Sequence, residues 1–283
     1  MLLAMSVLLA DAKEHAYAVG AFNTSNLEYI QAILESAEET RSPVIIQAAG
    51  SEIDYMGGHV FTDIVRRLSE RMTVAVAIHL DHGSSYDLAI RCIHYGFTSV
   101  MFDGSRLPIE ENIAATREVV KAAHAAGISV EGEIGIIGGA EEIEGSGVHS
   151  EALSDPDQCG YFAKATGLDC LAVSIGTAHG LYKAKPKLDF DRLKAIVART
   201  IVPIVLHGGT GVPEEDIRTA IRYGVAKVNF STVVRQACIQ QLRRTLVESP
   251  EELDLMAVMG KSKEAMKETV KKMMGMCGSV NRA

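Results

Sequence analysis

The sequence predicts an α/β chain folded as a closed (β/α)8 TIM barrel with additional C-terminal helices, one domain over residues 1–283. Three observations carry this. Eight short apolar runs alternate strictly with longer amphipathic ones, which implies parallel strands joined by helical crossovers. No GxGxxG follows the first strand, which argues against an open doubly wound sheet. The length of 283 residues, 47% hydrophobic and 23% charged, suits one soluble barrel with a little chain to spare.

The strand segments are 17–23, 44–49, 74–82, 99–104, 129–135, 170–176, 203–208 and 226–231. Helical periodicity occupies 27–40, 58–71, 85–95, 109–126, 157–166, 189–200 and 213–223, then 233–247 after the eighth strand. Gly50, Gly96, Gly127, Gly167 and Gly224 punctuate the ends of elements. Residues 250–277 read as one or two further helices. Residues 1–10 are apolar but lack a basic lead and run into Asp11, Lys13 and Glu14, so they read as an amphipathic first helix and not a signal peptide. Residues 138–150, rich in Gly and Glu, fit a mobile lid after the fifth strand.

Several partners are excluded on composition. The net charge is −8 and no Lys/Arg block stands out, so no nucleic acid is expected. No apolar run approaches the roughly 20 residues of a membrane span. The five cysteines are odd in number and contain no CxxC, as in a reduced cytoplasmic protein. A homo-oligomer, dimer or tetramer, is expected.

In a barrel of this kind the chemistry sits where strands end. The first strand ends in Asn23, a candidate substrate-binding residue. The third ends His79-Leu80-Asp81-His82-Gly83, the fourth in Asp103, and the fifth carries Glu131 and Glu133. His179 and Gly180 follow the sixth, and His207-Gly208-Gly209-Thr210-Gly211 the seventh. The eighth ends Asn229-Phe230-Ser231-Thr232. Histidines at three strand ends suit a catalytic Zn²⁺, which takes three protein ligands and keeps one position open. Alternation puts His79 and Asp81 on one face of their strand but leaves His79 and His82 both open as the ligand. Asp103 and Glu133 could add oxygen ligands. The glycine-rich turns after strands seven and eight, each leading into a helix, suit a phosphate dianion.

These stretches, with Ser99–Ser105, Glu131–Gly135, Gly176–Gly180, Leu206–Pro213 and Lys227–Thr232, resemble the class II fructose- and tagatose-bisphosphate aldolases from residue 11 to residue 278. The resemblance implies Zn²⁺ held by His82, His179 and His207, with Asp103 and Glu133 as alternate ligands. It implies Asp81 as the acid/base at the C4 hydroxyl and Glu141 as the base that serves dihydroxyacetone phosphate. Gly180, Gly208, Gly209, Thr210, Asn229, Phe230, Ser231 and Thr232 would hold phosphate, with a monovalent cation (Na⁺ or K⁺) nearby. The reaction implied is reversible cleavage of a ketose 1,6-bisphosphate, tagatose or fructose, to dihydroxyacetone phosphate and an aldehyde such as glyceraldehyde 3-phosphate. Lys227 reads as structural, because a metal already supplies the electron sink. Thr210 replaces the usual Ser, and Val233 and Val234 replace polar residues. Ser231 stands where fructose-type members usually carry Asp, which predicts a preference for another ketose, tagatose 1,6-bisphosphate first. The rival readings are another metal-dependent sugar-phosphate barrel enzyme, such as an epimerase, and a non-catalytic aldolase-like subunit.

Overall fold

The computed structural model describes residues 1–138, 153–182 and 185–283. Eight parallel strands close into a barrel in sequential order, β1 pairing with both β2 and β8. They are β1 (Val19–Asn23), β2 (Val44–Ala49), β3 (Val76–Asp81), β4 (Ser99–Phe102), β5 (Ser129–Ile134), β6 (Cys170–Val173), β7 (Ile204–Leu206) and β8 (Val225–Phe230). Around them run α1 (Met5–Glu14), α2 (Leu27–Thr40), α3 (Gly50–Met56), α4 (Gly58–Ser69), α5 (Tyr86–Tyr95), α6 (Ile109–Ala125), α7 (Pro156–Thr166), α8 (Phe190–Arg199), α9 (Glu214–Arg222) and α10 (Thr232–Glu248). A single helix, α11 (Leu255–Cys277), then packs on α2 and α10. No described helix is long and apolar enough to cross a membrane.

Side-chain polarity divides the barrel into layers. Outward positions such as Ile46, Ile78, Leu80, Val100, Leu171 and Val228 pack beneath the helices. Inward positions near the strand N-termini are apolar: Val19, Ala21, Ile45, Ala77, Met101, Ala172 and Val205 form a second cluster with Met5, Leu8 and Leu9 of α1. The first helix therefore closes the bottom of the barrel, anchored where Leu3 N–H donates to the Val76 carbonyl. Further along the strands the interior turns polar, through the fully buried His79, Glu131 and Lys227 to Asn23, Asp81, His207 and Asn229. Leu9→Ala is expected to cost about 2–5 kcal/mol, since Leu9 is fully buried in the plug. A lower urea midpoint at unchanged m-value checks it.

β1 and β2 end where expected, and the other six strands stop one to three residues short. β3 ends at Asp81 and β4 at Phe102, which leaves His82 and Asp103 in loops, free of strand alternation. Gly50 does not end an element as expected. It opens α3, where the Glu52 carboxylate accepts from Ala49 N–H at 2.9 Å. Residues 139–150 of the expected lid, with Glu141 and His149, lie outside the described residues.

Candidate active site

Along β3, Ile78 and Leu80 face the helices while His79 and Asp81 turn inward. Continued alternation would send His82 outward. Its backbone instead adopts φ +47°, a left-handed conformation that costs about 1–3 kcal/mol in a non-glycine residue. The next residue must be glycine: a Cβ on Gly83 would stand 2.1 Å from the Met101 carbonyl oxygen. This turn brings His82 to the barrel mouth, its Nδ1 2.8 Å from Asp103 Oδ2. His79 stays below, fully buried, with Nδ1 2.8 Å from Ser99 Oγ. Of the two histidines left open by the sequence, only His82 meets His179 and His207.

The rings of these three cluster closely. The His82 centroid lies 4.9 Å from that of His179 and 4.7 Å from that of His207. One nitrogen of each falls within 4.8 Å of the others, and His82, Asp103 and Glu133 form a second such triad. Both fit a metal ion. Among the described residues, the buried His179 Nε2 and Glu133 Oε2 find no hydrogen-bond partner, as expected of donors shaped for a cation. Electrostatics agree. Burial disfavours charge on His82, but Asp81, Asp103 and Glu133 outweigh it and push its pKa up to about 10. Burial, with the charge of Asp103 beside it, holds Glu133 well above the usual carboxylate range. A site that draws protons onto an imidazole and a carboxylate in this way is one where a cation can replace them.

Asp81 stands beside the triad, 5% exposed. Asn23 Nδ2 donates to its Oδ2 at 3.0 Å and Asn229 Nδ2 to its Oδ1 at 3.1 Å. Burial alone would raise its pKa. The neighbouring His82, His207 and Lys227 and the Asn23 hydrogen bond outweigh that and hold it below the usual carboxylate range. Asp81 is thus an oriented carboxylate that favours its ionised form.

A cavity of about 290 Å³ opens over Asn23, Asp81 and His179. Six of the eight expected phosphate residues line it: Gly180, Gly208, Thr210, Asn229, Ser231 and Thr232. The N-terminus of α10 begins at its wall, where helix N–H groups favour an anion. Gly208 has φ +67°, and a Cβ there would meet the Ala178 oxygen at 2.3 Å. The Tyr182 hydroxyl accepts from Ala178 N–H at 2.7 Å and donates to the Gly208 carbonyl at 3.0 Å, tying the His179 loop to the loop after β7.

Two expected members do not reach the cavity. Alternation along β8 sends Phe230 outward, where its ring stacks on Phe22 at 5.7 Å. Gly209 spends its N–H on the Asn229 carbonyl at 3.0 Å. Five other residues line the wall without having been singled out: Ser51 and Glu52, with Ser25, Ala49 and Arg235. The first two follow β2 directly, so the strand-end rule would have found them had it been applied there. Arg235 lies one helical turn beyond Ser231, with Nη2 3.4 Å from Ser231 Oγ and 3.5 Å from Glu52 Oε1.

Comparison with known proteins agrees with this geometry. The family model described as fructose-bisphosphate aldolase class-II matches residues 4–282. A fructose-bisphosphate aldolase of Geobacillus stearothermophilus is 45% identical over all of this chain and 99% of its own. One from Staphylococcus aureus is 43% identical over the same shares. Among solved structures, the YdjI aldolase from Escherichia coli superposes with a TM-score of 0.87 at 32% identity, covering both chains fully.

Proposed function

The chain belongs to the class II fructose-bisphosphate aldolase family, a family of metal-dependent lyases, and from that premise we propose that it catalyses reversible, zinc-dependent cleavage of a ketose 1,6-bisphosphate. The observation that carries this is the meeting of His82, His179 and His207 beside an Asp81 that two amides orient. His82, His179 and His207 would hold the Zn²⁺, with Asp103 and Glu133 as alternate donors. When bound, the ion supplies Lewis acidity at the ketose carbonyl and hydroxyl oxygens.

The protein's own groups do the rest. Asp81 takes the proton of the C4 hydroxyl as the C3–C4 bond breaks and C4 becomes the aldehyde carbon. The electron pair of that bond stays with the three-carbon fragment, delocalised onto its C2 oxygen. Glu141 returns a proton to C3, giving dihydroxyacetone phosphate. Gly180, Gly208, Thr210, Asn229, Ser231 and Thr232 would bind phosphate, with a monovalent cation (Na⁺ or K⁺) alongside. Arg235 supplies a cationic group to the remaining wall of the cavity. Five buried, unpaired cysteines suit a cytoplasmic protein. Exposed Val247, Leu253, Leu255 and Met256 around the α10–α11 corner support a homo-oligomer. A panel of ketose phosphates assayed for triose phosphate release tests the assignment. Turnover of none of them, or turnover with no release of two fragments, would overturn it.

The epimer is a separate question. The names of the relatives favour fructose 1,6-bisphosphate. Ser231 favours the other epimer: a neutral hydroxyl, both donor and acceptor, stands in the wall where a carboxylate would only accept. A substrate hydroxyl left unpaired in a closed site loses about 1–3 kcal/mol. We therefore expect kcat/KM for tagatose 1,6-bisphosphate to exceed that for fructose 1,6-bisphosphate by roughly tenfold to a hundredfold. The ratio measured on purified protein decides. A preference for the fructose epimer refutes the reading of Ser231 and leaves the aldolase assignment standing.

A further inference from the structure

Beneath the metal-ligand residues lies a charged group that the mechanism does not use. Glu131, on β5 two residues before Glu133, is fully buried, as are His207, Lys227 and His79 around it. Its Oε2 receives Lys227 Nζ at 2.7 Å, and its Oε1 lies 2.7 Å from His207 Nε2. His79 Nε2 approaches Oε2 at 3.4 Å, and the Cys170 thiol at 3.8 Å. On the opposite edge of the same ring, His207 Nδ1 lies 3.0 Å from His82 Nε2.

A buried ion pair is weak evidence for stability, because apolar side chains of the same volume are often as good or better. This one has a geometric consequence that apolar side chains could not provide. A carboxylate only accepts hydrogen bonds. With Lys227 occupying Oε2, the free Oε1 faces His207 Nε2, so that nitrogen must carry the ring proton. The lone pair is then confined to Nδ1, which points at His82. The opposite tautomer would set two lone pairs against each other at 2.7 Å.

We propose that Glu131, oriented by Lys227, is a positioning residue that fixes His207 as its Nε2–H tautomer and aims the Nδ1 lone pair into the metal triad. This rests on the zinc reading above and gives Lys227 a purpose beyond filling the barrel. It follows the general rule that a ligating histidine donates its second N–H to an outer acceptor.

The test uses the full chain with ¹⁵N-labelled histidine and Zn²⁺ alone as the probe. Long-range ¹H–¹⁵N correlation, with the His207 signals assigned through their loss in His207→Gln, should show the proton on Nε2 in the wild type. Zn²⁺ titrated against a chromophoric chelator should bind about 10- to 100-fold more weakly to Glu131→Gln. Because that variant leaves Lys227 unpaired, the double variant Glu131→Gln/Lys227→Met is measured as well. It is neutral and near in volume, and its amide can either donate to or accept from the ring. It should melt close to the wild type yet keep the loss of Zn²⁺ affinity, with His207 divided between tautomers. A wild type that binds Zn²⁺ with the proton on Nδ1 overturns this inference alone. So does a folded double variant that binds within twofold of the wild type. A wild type that binds no Zn²⁺ overturns the zinc reading and, with it, the purpose assigned to Glu131.

Discussion

Chelation is expected to abolish triose phosphate release, and added Zn²⁺ to restore it. Within the described residues, the cavity is lined by the oriented Asp81 carboxylate and by glycine-bearing turns, and no lysine amine lines it. Lys227 is buried and bound to Glu131 at 2.7 Å. In the proposed mechanism, the charge that develops on the three-carbon fragment is stabilised by the cation that His82, His179 and His207 would hold. Stabilisation of that kind is worth several kcal/mol, so its removal should cost about a thousandfold or more in rate. Alanine at any one of the three should lower zinc content as well as turnover, because each supplies a ligand atom within 4.8 Å of the others. Elemental analysis beside the rate assay separates the two effects. Full activity in protein shown to be metal-free would sink the zinc mechanism.

Most of the architecture was legible because barrel strands are covered on both faces and read as plain apolar runs. Periodicity found all eight strands and every covering helix but the short α3, and the strand-end rule gathered the histidines, Asp81 and most of the cavity wall. What stayed illegible depends on backbone dihedrals and on where a hydrogen bond goes. No sequence pattern announces a left-handed His82, so the choice between it and His79 could not be made from alternation. Phe230 sits inside a motif whose other members line the cavity, yet one step of pleat turns it into the outer core. The N–H of Gly209 looks available in sequence but is already used within the barrel. The short α3 was hidden because Gly50 at a strand end resembles a terminator, when it is the first residue of a helix held by Glu52. The pairing of Glu131 with Lys227 joins residues 96 apart and has no local signature.

Asp81→Ala should divide the reaction in two. The carboxylate is not needed to complete the histidine triad, and its two hydrogen bonds come from the amides of Asn23 and Asn229. Truncation leaves the Asn229 amide without that acceptor, while Asn23 Nδ2 keeps Glu52 Oε2 at 3.2 Å; the cost is about 1–3 kcal/mol, which a barrel of this size should survive. Zinc content should be unchanged. Cleavage should fall by about 10²–10⁴-fold, the contribution of a positioned general base, because Asp81 is the carboxylate that two amides orient beside the histidine triad. Exchange of the dihydroxyacetone phosphate α-proton with solvent should persist at a rate much closer to the wild type, since the proposed mechanism gives that transfer to Glu141 and it does not involve the C4 hydroxyl. Tritium or deuterium wash-in measured beside the cleavage assay reads the two steps independently. If both fall together in a variant that keeps its zinc and its melting temperature, Asp81 serves the whole site and the assignment of separate bases to the two proton transfers is wrong.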